Sequence, residues 1–303
     1  MARIYEQLAA ASNRPFALAL IAGTKGSSPQ RAGAKAIFFP DGQIIGTLGG
    51  GCLEAEVQDR ALQALKSGQP AEFEMVLDHD FGWDDGLICG GSVNGLILPQ
   101  AAQAAALWRQ LAAPAGPTRW GVKSDFSIAL APASPAQWLY QETVSPPVEV
   151  WIAGSGHVAQ AVAPLAQQLD FSVTVLDDRP GLANQRFFPP ATKLRVDGWH
   201  ELLKLRPPSA ATFGLVVTRG HQHDALVLSE WIRLPFVFLG MIGSRRKARL
   251  LREQFIKQNV ATAEQFDQIV CPVGLDIAAV GPQEIAVSVV AQWIQKRAQI
   301  RDT

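Results

Sequence analysis

Cysteine is scarce: Cys52, Cys89 and Cys271 are the three in 303 residues. That is too few for a disulfide framework and reads as reduced thiols in a cytoplasmic protein. Charge of one sign is lacking too. Lys plus Arg and Asp plus Glu each number 27, so the net charge is zero. An overall electrostatic grip on nucleic acid or an anionic membrane is thereby excluded. Long apolar runs are missing. The run from Phe16 to Ala22 falls far short of the roughly 20 residues that a membrane-spanning helix needs. Glu6 and the break Ser12-Asn-Arg-Pro15 argue against an export signal and leave a short helix followed by a strand. Tyrosine is reduced to Tyr5 and Tyr140, so no Tyr-x-x-x-Lys pair is present for hydride transfer.

What is present is apolar material in quantity. Hydrophobic residues make up 48% and charged residues 18%, which supports folded cores and excludes a disordered chain. At about 150 residues per domain the length predicts two domains. Ser145-Pro146-Pro147 is the linker, because consecutive prolines stop regular structure. The domains are therefore expected at 1–145 and 148–303.

The first half predicts a strand over 16–22, a Gly- and Ser-rich loop over 23–33, and a hairpin across Pro40-Asp-Gly42. Gly46-Thr-Leu-Gly-Gly-Gly-Cys52 then opens a helix with Leu53, Val57, Ala61 and Leu65 on one face and Gly68 as its C-terminal stop. Phe73, Met75 and Leu77 alternate as a half-buried strand, and another strand spans 93–98. Residues 100–147 predict one helix over 101–111 and two weak strands. After the linker, strands at 148–153, 172–176, 213–218 and 236–239 alternate with helices at 159–169, 225–231, 245–258 and 282–297. The fold class expected is α/β: a C-terminal Rossmann-like parallel-sheet domain preceded by a smaller mixed α/β domain.

Four motifs could carry chemistry. Gly154-Ser-Gly-His-Val-Ala159 follows a strand and opens a helix, the setting of a dinucleotide fingerprint. Gly154 makes the turn, Gly156 lets backbone approach a pyrophosphate, and His157 follows. Asp177, about twenty residues on, is placed to accept a ribose hydroxyl. Thr218-Arg-Gly-His-Gln-His-Asp224 follows an apolar strand. His221, His223 and Asp224 there are open to three readings: lining a cleft, binding a metal, or a polar loop with Asp224 as a helix cap. Gly240-Met-Ile-Gly243-Ser244-Arg245-Arg246-Lys247 puts three cations in a first helical turn, against the helix dipole, and an anionic ligand or acidic partner would offset that. Gly49, Gly50 and Gly51 precede Cys52 and Glu54, and Cys89 is followed by Gly90-Gly91. Cys52 at a helix start is in a position that favours thiolate, and two accessible thiols suit a soft metal or sulfur-rich cofactor. Cys271 reads as buried and inert.

Taken in order, Gly23-Thr-Lys-Gly-Ser-Ser-Pro-Gln30, Gly46 to Glu54 and Cys89-Gly-Gly91 resemble the N-terminal domain of XdhC/CoxI proteins, the xanthine dehydrogenase accessory family. Gly154 to His157, Thr218 to His221, Gly240 to Lys247, Pro272-Val-Gly-Leu-Asp276 and Pro282-Gln-Glu-Ile-Ala286 resemble its C-terminal Rossmann domain. The resemblance implies a chaperone that binds and protects molybdenum cofactor, supports its sulfuration and hands it to a molybdenum hydroxylase. It implies an accessory protein of purine catabolism, not a turnover enzyme. Its partners would be the molybdenum subunit of xanthine dehydrogenase and a cysteine desulfurase or cofactor-biosynthesis protein, and a homodimer is compatible with it. On this reading Arg245, Arg246 and Lys247 face the pterin phosphate, and Cys52 and Cys89 lie near the dithiolene or molybdenum end. Two other readings stay open: an NAD(P)-dependent oxidoreductase on the Rossmann unit, for which Asp177 favours NAD and Arg179 leaves NADP open, and a metal-dependent hydrolase using His221, His223 and Asp224.

Overall fold

The computed structural model describes residues 2–77, 90–131, 138–207 and 211–301. Cys89 and the loop from His79 to Gly86 lie outside the described residues. The chain divides into two compact units, residues 1–146 and 147–303.

The first unit opens with helix α1 (Ala2–Ala11) and strand β1 (Ala17–Lys25). Strand β1 is apolar throughout its first half because it is central and covered on both faces. Ala17, Ala19 and Ile21 enter one core, while Phe16, Leu18 and Leu20 enter another. Strands β2 (Lys35–Phe38) and β3 (Ile44–Gly46) form the hairpin that Asp41-Gly42 announces. Helix α2 (Gly51–Ser67) lays Leu53, Val57, Ala61 and Ala64 on the sheet and ends at Gly68 in the left-handed conformation. Strands β4 (Ala71–Leu77) and β5 (Gly91–Leu98) complete an antiparallel sheet in the order β3-β2-β1-β5-β4.

Residues 100–146 depart from expectation. The helix begins as a 3-10 turn at Ala101–Ala104 and continues as α3 (Ala105–Ala112). Three strands follow rather than two: β6 (Thr118–Lys123), β7 (Ile128–Leu130) and β8 (Trp138–Val144), in an antiparallel sheet of order β7-β6-β8. Trp120 and Val122 alternate inward on β6, as Tyr140 and Val144 do on β8, and all four join the core under α1 and α3. The short β7 has no apolar run of its own. It is set by the turn in which Asp125 accepts from Ser127 N at 2.9 Å.

The second unit alternates strand and helix. Its strands are β9 (Val148–Ala153), β10 (Phe171–Asp177), β11 (Lys193–Val196), β12 (Phe213–Val216), β13 (Phe238–Met241) and β14 (Ile269–Val270). Its helices are α4 (His157–Gln168), α5 (Trp199–Leu202), α6 (His221–Trp231), α7 (Arg245–Lys257), α8 (Ala263–Asp267) and α9 (Pro282–Arg301). All strands run parallel in the order β11-β10-β9-β12-β13-β14. Within the unit that is the doubly wound order 3-2-1-4-5-6, and the progression of strands across the sheet reverses between β9 and β12. One face carries α4 and α9 through Ala159, Val162, Val289 and Trp293, and the other carries α6 and α7 through Val227, Trp231, Leu251 and Phe255. The sequence reading omitted β11 because Lys193 to Val196 is a polar edge strand with no apolar run. Among the described residues no helix is long and apolar enough to cross a membrane.

Candidate functional site

In the first unit the three glycine-rich segments come together. Strands β1 and β5 pair so that Lys25 faces Ser92, which brings Gly90 and Gly91 beside Gly26 and Ser27. A Cβ on Gly91 would stand 2.1 Å from the Ser27 carbonyl oxygen. From the other side, a Cβ on Gly49 would meet Pro29 Cγ at 2.8 Å. Residues 26–30 are therefore held between the Gly90–Gly91 and Gly46–Gly50 segments at the start of α2.

Glu54 is engaged with its own chain through one carboxylate oxygen, Oε2. Its carboxylate accepts from Thr47 Oγ1 at 2.8 Å and Leu48 N at 2.9 Å, so it braces the turn before the helix. Gly50 is the N-cap, has φ +75° and gives no side-chain cap, and none of the described residues comes within 4 Å of the place a Cβ would take there. Cys52, the second residue of this 17-residue helix, is a half-buried free thiol. Among the described residues Ser28 Oγ is buried without a hydrogen-bond partner. An uncapped helix start, an open glycine, a thiol and an unsatisfied hydroxyl can receive a group bearing anionic oxygen or sulfur. Ser28 was not foreseen, although it stands inside the segment Gly23 to Gln30. Cys89, expected beside Cys52, lies outside the described residues.

In the second unit the other motifs sit at the carboxyl edge of the parallel sheet. Gly154, at φ +114°, allows β12 to come close: a Cβ there would lie 2.4 Å from the Val217 carbonyl oxygen. Gly156 caps α4 with open space at its Cβ position, and His157 is exposed in the first turn.

Asp177 is not available to a ribose. It is 1% exposed. One carboxylate oxygen accepts from Ser155 N at 2.7 Å, Ser155 Oγ at 2.8 Å and Arg179 Nη2 at 2.7 Å; the other accepts from Arg179 N at 3.0 Å and Nε at 2.8 Å. Burial pushes this acid upward, but the bonds from Arg179 and Ser155 outweigh it and hold its pKa at about 2. The oxidoreductase reading thus loses the ribose acceptor it relied on.

The expected histidine loop is also corrected. Helix α6 already begins at His221, because Gly220 with φ +153° is its N-cap. Asp224 is buried and turns inward, accepting from Thr218 N and Oγ1 and pairing with Lys247 Nζ. His223 instead meets Arg219 at 3.2 Å, and Arg219 also pairs with Asp178 at 2.8 Å. Among the described residues no group of three or more His, Cys, Asp or Glu could hold a metal.

In the basic turn, Ser244 caps α7 by accepting from Lys247 N at 3.2 Å. Lys247 is paired with Asp224, so of the three cations expected to face an anionic group only Arg245 and Arg246 are exposed. A Cβ on Gly243 would lie 2.8 Å from Lys247 Cδ, which fixes the turn against that lysine. Cys271 lies beneath, 3.8 Å from the Gly243 carbonyl, and burial pushes its thiol up. Neither the Lys247–Asp224 pair nor the Arg219–Asp178 pair left a local sign in the sequence, since each joins segments far apart in the chain.

Comparison with known proteins agrees with this architecture. Residues 150–293 match the XdhC Rossmann domain, and residues 9–80 match the XdhC and CoxI family. YqeB of Escherichia coli (strain K12) is 30% identical over 287 residues, 93% of this chain but 44% of that protein, so the chain spans less than half of that relative. A protein of Bacillus subtilis (strain 168) named as a probable xanthine dehydrogenase subunit is 28% identical, with 93% of each chain covered. The molybdenum cofactor insertion chaperone PaoD of Escherichia coli (strain K12) is 24% identical, covering 93% of this chain and 83% of that one. A crystal structure of a xanthine dehydrogenase from Bacillus halodurans superimposes with a TM-score of 0.84 at 25% identity, covering 98% and 96% of the two chains. With both matches on one chain and in this order, the protein belongs to the XdhC and CoxI family.

Proposed function

We propose that the protein is a molybdenum cofactor chaperone. It binds and protects the cofactor, supports its sulfuration and delivers it to xanthine dehydrogenase or a related molybdenum hydroxylase. The relative named as a molybdenum cofactor insertion chaperone supports the reading. The observation that carries it is the junction at the start of α2, where Gly49, Gly50 and Cys52 meet the loop bearing Ser28. The open Gly50 and the unsatisfied Ser28 hydroxyl fit a compact ligand with sulfur and oxygen acceptors. When bound, the cofactor supplies the molybdenum–dithiolene centre that the client uses. This chain's own residues hold and shield it: backbone N–H groups at the helix start, the Ser28 hydroxyl as donor and the Cys52 thiol. Arg245 and Arg246 are assigned to an anionic group of the cofactor or of a partner. A cysteine desulfurase as sulfur source, a homodimer and a cytoplasmic setting belong to the same proposal.

The test is binding followed by transfer. Under anaerobic conditions the purified protein should bind the cofactor saturably at about one site per chain. Hydroxylase polypeptides from a strain lacking this protein should accumulate but lack active cofactor, and the loaded protein, not the empty one, should restore turnover. Normal hydroxylase activity in that strain, without a paralogue, overturns the reading.

Two substitutions sharpen it. Cys52→Ser should shorten cofactor retention more than Cys271→Ser, since only Cys52 stands at the uncapped helix start; pterin content after gel filtration reads this out. Replacing Arg245 and Arg246 together by Ala should weaken binding of the cofactor or partner by about one to two decades. The same double variant should leave the thermal midpoint within about 1–2 °C of wild type, because both side chains are exposed.

A further inference from the structure

We propose that Lys35 is a positioning residue for the cofactor junction: its buried ammonium takes the Gly33 carbonyl and thereby fixes the far end of the loop 26–33. The proposal rests on reading residues 26–52 as the cofactor-binding junction.

Lys35 opens strand β2 within the apolar run Ala34-Lys35-Ala36-Ile37-Phe38. Its side chain is 2% exposed. The ammonium lies 5.5 Å from the ring centres of Tyr5, Trp120 and Tyr140. It pairs with Glu142 at 2.5 Å and donates to Gly33 O at 2.8 Å. Glu142 in turn accepts from Tyr5 OH, and Tyr5 OH accepts from Trp120 Nε1 at 3.0 Å. Burial pulls the lysine below its ordinary range, while Glu142 beside it works in the other direction.

Stability alone gives no reason to keep this arrangement. A buried ion pair is commonly no more stabilising than apolar residues of the same volume. Within that pair, the bond to Gly33 O is the contact an apolar substitute cannot reproduce. Gly33 has φ +94°, and a Cβ there would stand 3.3 Å from Tyr140 OH and 3.5 Å from Glu142 Oε2. The same residue is held from the other side by Gly33 N donating to Ile21 O at 2.8 Å. From this anchored point the chain runs back through Gln30 and Pro29, which touch Gly49, to Ser27 beside Gly91. Lys35 therefore acts on the junction through the loop and without touching a ligand.

The experiment compares Glu142→Gln with the double variant Lys35→Met/Glu142→Gln in the full chain. Both lack the ion pair and both keep an acceptor for Tyr5, but only the first keeps a donor for Gly33 O. Lys35→Met alone would leave Glu142 buried and unpaired, whereas in Glu142→Gln the lysine can shed its proton, toward which burial already pulls it, and still donate to Gly33 O. Hydrogen exchange at the amides of Gly33 and Ala34, both hydrogen-bonded in the folded protein, is measured on cofactor-free protein. Exchange there should rise about ten- to a hundredfold in the double variant, with β5 amides unchanged, and stay within about threefold of wild type in Glu142→Gln. Release of anaerobically loaded molybdenum cofactor should quicken in the same order. Wild-type exchange at Gly33 and Ala34 in the folded double variant overturns the proposal, as does loosening to the same degree in both variants. If exchange behaves as expected but the wild-type protein binds no cofactor, the positioning role stands and the chaperone reading falls.

Discussion

Asp177→Asn should destabilise the C-terminal unit by about 3 kcal/mol at pH 7, near the lower end of what breaking a buried charge pair costs. The carboxylate is 1% exposed, while Arg179 retains 28%, so water recovers part of the loss on the arginine side. An asparagine has the same shape but offers an NH2 group to one of two sets of donors. It must face either Ser155 N or the Arg179 N and Nε groups, and both sets need an acceptor. The thermal midpoint of that unit should fall by about 6–12 °C. The effect should also depend on acidity in a defined direction. The folded pKa of about 2 lies below the ordinary value of 3.8. The stabilisation is therefore complete above about pH 4 and is lost as pH falls through the folded value. Wild type and variant should differ at pH 7 and converge as pH approaches 2. Urea titrations at several pH values read this directly. A variant as stable as wild type at pH 7 would mean that the carboxylate does not carry the loop.

That acid illustrates where the sequence stopped being readable. The spacing from Gly154 to Asp177 identified a strand–turn–helix–strand unit, and the structure contains one. Whether the acid faces a ribose or its own chain depends on Ser155 and Arg179, which surround it only after β9 and β10 pair. Lys247 was similar. A run of three cations is visible in sequence, but its neutralisation by Asp224 requires α6 and α7 to lie side by side. Short elements failed for a different reason. β7, β11 and α5 are too short or too polar to imprint a period, and their neighbours hold them in place. Conversely, the apolar run of β1, the Asp41-Gly42 turn and the helix stop at Gly68 were legible because each is a local physical requirement. The scarcity of tyrosine was informative in a way its count did not reveal: both tyrosines stand against Lys35, the buried lysine that opens β2.

Gly154→Ala and Gly156→Ala should part company, although the two residues belong to one motif. Gly154 has φ +114°, a conformation side-chain-bearing residues rarely adopt, and its Cβ would stand 2.4 Å from a backbone oxygen, Val217 O. Neither β9 nor β12 can retreat, because they hydrogen-bond to each other along Val150 to Ala153. Strain and overlap together should cost about 4 kcal/mol or more, enough to abolish soluble folded protein or to lower the midpoint of the C-terminal unit by well over about 10 °C. Gly156 has φ −72° and nothing within 4 Å of the added atom. Alanine there loses a little as a helix cap and gains a comparable amount by restricting the unfolded chain, so stability should change by less than about 1 kcal/mol. The space it fills is the approach to the start of α4. If the carboxyl edge of this sheet receives a ligand, Gly156→Ala should be folded yet bind it at least tenfold more weakly. Calorimetry on both variants, with equilibrium binding on the second, separates the glycine that the fold requires from the glycine that keeps a surface open. Equal stability for the two variants would contradict the close approach of β9 and β12.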